Sequence, residues 1–135
     1  MTCVVDASVI GPLLIPDEAD DIREGLLELL VAGEAIVPRH WYLEIANMGL
    51  MAVRRGRLDS AQFETRLGDF HDFPLTVDEP SSAIVIRRTA QLARAHDLTI
   101  YDAVYLELAH RRGLALLTTD TELRDAAKAK GVELA

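Results

Sequence analysis

The chain has 135 residues, 50% of them hydrophobic and 27% charged, and these proportions predict one compact globular domain over residues 1–135. The formal net charge of −8, from 22 acidic and 14 basic residues, argues against a nucleic-acid partner unless bound cations offset part of the acidic charge. The sequence predicts neither a transmembrane helix nor a secretory signal, and the single Cys3 suits a cytoplasmic protein without membrane contact.

The first predicted element is a buried strand. Residues 2–5 form a β-branched run that ends at Asp6. Ligands gather beyond the carboxyl ends of parallel strands, so Asp6 is well placed for chemistry. Alternatively, Asp6 is the N-cap of the helical turn that starts near Ser8.

Two helices and a second strand follow. Pro16 begins a helix that extends to about residue 32, and residues 35–37 form the strand. Four early acids of the first helix are predicted to form a solvated first turn and not a metal site: Asp17, Glu18, Asp20 and Asp21. The helix at about 39–55 is apolar nearly all round, which predicts burial or an interface.

Glu44 lies in the apolar arc of the helix at about 39–55, with Asn47 one turn further on. A glutamate in such an arc is seldom a plain solvated residue. Glu44 is therefore predicted either to take part in a site or to form a structural ion pair.

The second half of the chain continues the alternation of helices and strands. A helix at 58–71 precedes a strand at 74–77, and the next helix starts at one of two serines and includes four apolar residues: Ser81 or Ser82, then Ile84, Ile86, Leu92 and Ala95. This pattern favours an α/β fold, a three-layer α/β/α sandwich with a central, mainly parallel sheet.

Asp102 is an acid within an otherwise apolar helix face. The helix runs from about residue 98 to Arg112, and on a helical wheel Asp102 shares a side with Leu106 and Ala109. Glu107 and Arg111 lie nearly opposite, so Asp102 is predicted to point inward. A carboxylate turned toward a core costs several kcal/mol unless it is compensated. The alternative is a capping box formed by Thr99 and Asp102.

The last strand, at 114–117, repeats the arrangement of the first. Thr118, Thr119 and Asp120 follow it, and Asp120 belongs either to a site or to the N-cap of a helix at 122–130. Residues 132–134 predict an edge strand.

Four acids are thus predicted to meet at one edge of the sheet: Asp6, Glu44, Asp102 and Asp120. A close pair of carboxylates repels by about 4 kcal/mol at about 4 Å in an effective dielectric of about 20, and a divalent cation relieves that repulsion. Oxygen ligands favour Mg²⁺ or Mn²⁺ over zinc, and no two histidines have ligand spacing. One or two such ions suit phosphodiester hydrolysis.

Four segments carry a family resemblance: Val-Val-Asp-Ala-Ser at 4–8, Leu-Glu-Ile-Ala-Asn at 43–47, Tyr-Asp-Ala-Val-Tyr-Leu-Glu-Leu-Ala at 101–109 and Leu-Thr-Thr-Asp at 117–120. In their order and spacing the chain resembles PIN-domain ribonucleases, in particular VapC-type toxins of toxin-antitoxin pairs. The resemblance implies a Mg²⁺- or Mn²⁺-dependent endoribonuclease that acts on RNA, forms a homodimer and is inhibited by a cognate antitoxin.

The same resemblance implies a role for each site residue. The metal-site quartet would be Asp6, Glu44, Asp102 and Asp120, with Ser8 and Thr118 as supporting hydroxyls and Asn47 as a polar neighbour. The alternative is a PIN-like binding module that dimerises and holds a protein partner. Small arginine groups are either solvated helix ends or phosphate contacts: Arg54, Arg55 and Arg57, Arg87 and Arg88, and Arg111 and Arg112.

Overall fold

The computed structural model describes residues 1–18, 22–79 and 82–135. Its elements, in chain order, are β1 (Cys3–Val5), a 3-10 helix (Ala7–Ile10), α1 (Gly11–Leu14), a 3-10 helix (Pro16–Glu18), α2 (Arg23–Val31), β2 (Ala35–Pro38), α3 (Trp41–Arg54), α4 (Ser60–Asp72), β3 (Thr76–Asp78), α5 (Ala83–His96), α6 (Ile100–Arg112), β4 (Ala115–Leu117) and α7 (Thr121–Lys130).

The sheet has four strands in the order β3-β2-β1-β4, and every neighbouring pair is parallel. All residues of β1 and β2 are buried, as expected for a parallel sheet covered on both faces. The predicted α/β fold with a parallel central sheet is confirmed. Because the strands run the same way, their carboxyl ends share one edge, and Asp6 and Thr118 each follow a strand at that edge.

Helix ends carry the residues that their backbone geometry needs. Ser82 accepts hydrogen bonds from the first N–H groups of α5, and Thr99 accepts one from the first turn of α6. Gly113 ends α6 with a positive φ of 64°, which glycine adopts without a steric cost. The predicted cap at Ser82 and the predicted helix end at Arg112 are confirmed, while Ser81 lies outside the described residues.

The helix predicted to be apolar all round, α3, is buried on one side only. Trp41 and Ile45 are fully buried in the core, whereas Leu43 is 74% exposed. At Gly49 an added Cβ would meet the ring of Phe63 at 2.3 Å, so the close approach of α3 to α4 requires glycine. The exposed side of α3 is therefore an apolar surface.

The first predicted helix is shorter than expected. Residues 16–18 form a separate 3-10 helix, and α2 starts at Arg23. Asp17 and Glu18 are exposed and ion-paired with Arg57, at 2.8 and 3.0 Å, so they are solvated but not unpaired. Asp20 and Asp21, predicted to belong to the same turn, lie outside the described residues.

The predicted edge strand at 132–134 is reduced to one isolated parallel bridge between Leu134 and Leu116. Leu116 N–H donates to Glu133 O at 2.8 Å, and Ala135 N–H donates to Leu116 O at 2.9 Å. The segment therefore lies beside β4 at the edge of the sheet, as predicted, but it does not form a regular strand.

The side of α6 opposite Asp102 is also covered. Glu107 is only 3% exposed and accepts a hydrogen bond of 2.8 Å from Arg111 Nε, while Arg111 Nη2 lies 2.6 Å from Asp78 Oδ2. Helix α6 packs against both the sheet and its helical neighbours α5 and α7. The helical wheel assumed that α6 is packed on one side only, so it did not predict that Glu107 is buried. None of the helices in the described ranges has the length and apolar character to span a bilayer.

Candidate active site

Asp6 stands at the carboxyl edge of the sheet and is only 3% exposed. Its Oδ2 accepts hydrogen bonds from Ser8 Oγ at 2.7 Å and from Thr118 Oγ1 at 2.6 Å. Thr118 is 112 residues away in the chain and arrives there because β4 pairs in parallel with β1. The carboxylate therefore accepts two hydrogen bonds from hydroxyl groups. This favours a role for Asp6 in a functional site over a role as a helix cap.

Backbone groups fix the direction of both hydroxyl bonds. Ser8 Oγ accepts from Thr119 N–H at 3.2 Å, and Thr118 Oγ1 accepts from Asp120 N–H at 3.1 Å. A hydroxyl that accepts an N–H proton still has its own proton to donate. Both hydroxyls consequently donate to Asp6, and they orient its carboxylate as the predicted supporting groups would.

Glu44 is held by a tyrosine that the sequence analysis did not identify. The fully buried Tyr105 donates from its phenol to Glu44 Oε1 at 2.9 Å and accepts from Ala7 N–H at 3.3 Å. Burial, followed by the charges of Glu44 and Asp6, raises the pKa of Tyr105, so the phenol stays a neutral donor. Tyr105 thus joins the helix that carries Asp102 to the backbone that follows Asp6.

His40 is a second residue that the sequence analysis missed. Its Nε2 lies 2.7 Å from Glu44 Oε1, although the two groups do not have the alignment of a hydrogen bond. The imidazole ring also meets the ring of Tyr105 edge-on, with 5.4 Å between centroids. Spacing offered a signal for each residue, since His40 precedes Glu44 by one helical turn and Tyr105 follows Asp102 by nearly one turn.

Asp102 lies half-buried in the first turn of α6. Its backbone N–H donates to Thr99 Oγ1 at 3.1 Å, so the capping alternative is correct for the backbone of this residue. Burial raises the pKa of its carboxyl, and repulsion by Asp120, Asp6 and Glu44 raises it further. The charges of the other three predicted acids thus disfavour the ionised form of Asp102.

Asp120 is an N-cap that also faces the other acids. Its Oδ1 accepts from Leu123 N–H at 3.0 Å, so the capping alternative is correct here too. Among the three neighbouring acids, Asp120 has the largest effect on the pKa of Asp102. Asn47, the predicted polar neighbour, is exposed, and its amide makes no hydrogen bond within the described part of the chain.

The site has an excess of negative charge. Burial is the largest cause of the raised pKa of Asp6, the Thr118 and Ser8 hydroxyls oppose it, and the charge of Glu44 adds to it. The donors are carboxylate oxygens, whose chemistry fits a hard divalent cation. In the described ranges, however, no three Asp, Glu, His or Cys residues are grouped closely enough to hold a metal ion. A bound cation would offset the repulsion between these carboxylates and favour their approach to one another.

A parallel α/β sheet with acids gathered at its carboxyl edge defines the class of this protein. The PIN domain family matches residues 3–129, and the chain belongs to that family. This match confirms the resemblance drawn from the four short segments.

Similar proteins agree with this assignment. Ribonuclease VapC3 of Pyrobaculum aerophilum is 33% identical over 125 residues, covering 93% of this chain and 94% of the relative. The crystal structure of PAE2754, also from Pyrobaculum aerophilum, has a TM-score of 0.73 at 24% identity and covers 93% of this chain and 84% of that one. A toxin-antitoxin complex from Klebsiella pneumoniae has a TM-score of 0.62 at 16% identity and covers 89% of this chain and 88% of that one.

Proposed function

We propose that this protein is a Mg²⁺- or Mn²⁺-dependent endoribonuclease and the toxin of a type II toxin-antitoxin pair. One observation carries the proposal: Asp6 is buried at the sheet edge of a PIN domain and accepts hydrogen bonds from Ser8 and Thr118. Tyr105 joins Glu44 to the same edge through the Ala7 N–H. The VapC3 relative is named a ribonuclease, which supports RNA as the substrate.

Each site residue has a distinct role in this proposal. Asp6 and Asp102 are direct ligands of one or two ions, while Glu44 and Asp120 complete the site or act through water. A bound divalent cation supplies an activated water and positive charge for the leaving oxygen. The remaining side chains hold the acids: Ser8 and Thr118 orient Asp6, and Tyr105 orients Glu44. No side chain forms a covalent intermediate.

The proposed protein partners are a cognate antitoxin and a second copy of the chain. The similar fold of the Klebsiella pneumoniae toxin-antitoxin complex supports the antitoxin. Exposed apolar side chains on two helices offer surface for such contacts: Leu43 and Leu50 on α3, and Ile84 and Ile86 on α5. The same surface favours the second candidate function, a binding module without cleavage activity.

Cleavage assays with and without a chelator separate these candidates. The purified protein is expected to cleave single-stranded RNA in Mg²⁺ or Mn²⁺ and to lose this activity in EDTA. Cleavage that persists in EDTA would contradict the metal dependence. A failure to cleave with either ion would contradict the enzyme and favour the binding module.

Thermal unfolding with Mn²⁺ tests the metal site through its pH dependence. The pKa values of Asp6 and Asp102 are raised on folding, so the stability these groups provide is present at low pH and lost as pH rises through their folded values. A cation offsets that loss only where both groups are ionised. Mn²⁺ is expected to raise the Tm by several degrees at about pH 8 and much less at about pH 4. An equal shift at both pH values would place the ion elsewhere.

Tyr105→Phe tests whether the phenol positions Glu44. The substitution removes the donor to Glu44 and leaves the Ala7 N–H without its acceptor, so we expect a loss of roughly 1–2 kcal/mol in unfolding free energy. The kcat for RNA should fall roughly tenfold with little change in KM. Tyr42→Phe, on α3, is the control and should leave kcat unchanged. A kcat for Tyr105→Phe equal to that of the control would assign the phenol a purely structural role.

A further inference from the structure

One long helix of this acidic protein carries basic residues and no acidic ones. Helix α5 contains three arginines and no acid, although the whole chain carries a net charge of −8. All three arginines, Arg87, Arg88 and Arg94, are exposed and form no ion pair within the described residues. A polyanion is attracted to such a region even when the protein as a whole is negative.

An open cavity of about 680 Å³ lies beside this helix, between α5, α6 and α7. We call it the basic cleft, and its polar and cationic lining includes Arg88, Gln91, His96, His110, Arg111 and Lys130. Leu92 and Ala95 provide apolar surface. The one acid in the lining, Glu107, is neutralised by Arg111, which leaves Arg88 and Lys130 as cations available to a ligand.

Part of helix α6 lies between the basic cleft and the acids. Asp102 lies in the first turn of this helix and His110 in the last, which is eight residues or about 12 Å along the axis. Glu107 and Arg111 line the cleft from the side of α6 opposite Asp102, so the path between the two sites also passes around the helix. A strand of a few nucleotides covers that distance. On one side the cleft is bounded by a smaller cavity of about 370 Å³ that shares His96 and carries Asp97, Glu122 and Asp125. The carboxylates on that side repel phosphates, whereas the α5 side of the cleft carries arginine.

We propose that the basic cleft binds phosphates of the RNA strand whose scissile bond lies at the acidic site. This inference rests on the proposed function and names the surface that holds its substrate. Lys and Arg that contact phosphates release condensed cations, so each contact gives a measurable dependence of affinity on salt. Reversing the charges of Arg88 and Lys130 should therefore reduce the dependence of RNA affinity on salt.

Binding of a short fluorescent single-stranded RNA tests the cleft in the full-length chain. An Asp6→Asn background prevents cleavage during the measurement. Adding Arg88→Glu and Lys130→Glu is expected to weaken binding roughly tenfold or more, and to reduce the slope of log affinity against log salt by about 1 to 2. The matched control, Arg54→Glu with Arg55→Glu, changes the net charge equally at exposed residues outside the cleft. If both double variants lost RNA affinity equally, or if neither lost affinity, the proposal that the basic cleft binds RNA would be wrong.

A ribodinucleotide substrate separates failure of the cleft from failure of the proposed function. It is too short to reach from the acids to the cleft, so Arg88→Glu with Lys130→Glu on the active chain should cleave it at the wild-type rate while cleaving longer RNA more slowly. Equal slowing on both substrates would overturn the cleft while leaving the nuclease intact. If the wild-type chain cleaves neither substrate but its Asp6→Asn variant binds RNA through Arg88 and Lys130, the proposed nuclease activity fails and the cleft stands.

Discussion

Asp6→Asn is expected to abolish RNA cleavage, lowering kcat by roughly a hundredfold or more, and at the same time to stabilise the fold at neutral pH by on the order of 1 kcal/mol. The ionised carboxyl is disfavoured by burial and by the charge of Glu44, which together raise its pKa. Both hydroxyls that contact Asp6 donate to the same oxygen, and an asparagine carbonyl oxygen accepts the same two bonds. The variant therefore loses the charge and keeps the hydrogen bonds.

Opposite changes in activity and stability distinguish this variant from one that is merely misfolded. Denaturant unfolding gives the stability, and RNA cleavage in Mn²⁺ gives kcat. Asp69→Asn, an exposed acid on α4, is the control, and it should change stability by less than about 0.5 kcal/mol with full activity. If Asp6→Asn lost both stability and activity, its carboxylate would be a structural group. If it kept activity, the proposed metal site would be wrong.

The sheet edge was predictable because it follows from local patterns. Short apolar runs that end in Asp6 or lead to Thr118 indicate strands, and parallel strands bring their carboxyl ends together. Once β1 and β4 pair, the meeting of Asp6, Ser8 and Thr118 needs no further information. The place of Asp6 therefore followed from chain direction, whereas the supporting role of the two hydroxyls came from the family resemblance.

Capping and site roles could not be separated from the sequence because they are compatible. Asp120 caps α7 with one carboxylate oxygen and still repels Asp102, and Thr99 caps α6 while the Asp102 carboxyl stays near the other acids. A helix N-terminus both needs an acceptor and favours negative charge, so it serves to place acids at the sheet edge. Treating the two roles as exclusive was the error.

Glu107 and Tyr105 were missed because α6 is buried on more than one side. Helical periodicity reports a single apolar face, but α6 packs against the sheet, α5 and α7. A polar residue on such a helix is paired or placed at a site, and which of these applies depends on partners that lie far away in sequence. For Glu107 the partner is Arg111, which also reaches Asp78 at the end of β3.

Arg111→Met is expected to lower the unfolding free energy by roughly 3 kcal/mol, the largest stability change among the variants considered. Methionine retains most of the arginine stem but leaves the carboxylate of Glu107, which is 3% exposed, without its counter-charge. Asp78 suffers less, because Arg112 Nη1 remains 3.7 Å from its Oδ1. Removing one partner of a buried ion pair lowers stability by more than the intact pair contributes, because the remaining ion keeps its desolvation penalty.

A second substitution identifies the uncompensated charge as the cause. Glu107→Gln in the Arg111→Met background is expected to recover most of the lost stability, because the neutral amide does not need the guanidinium. Arg57→Met is the matched control at an exposed ion pair with Asp17 and should change stability far less than Arg111→Met does. Denaturant unfolding of all three variants gives the comparison. Without recovery in the double variant, the loss would have to come from another contact of Arg111, such as its ion pair with Asp78, because the Glu107 charge would no longer be present.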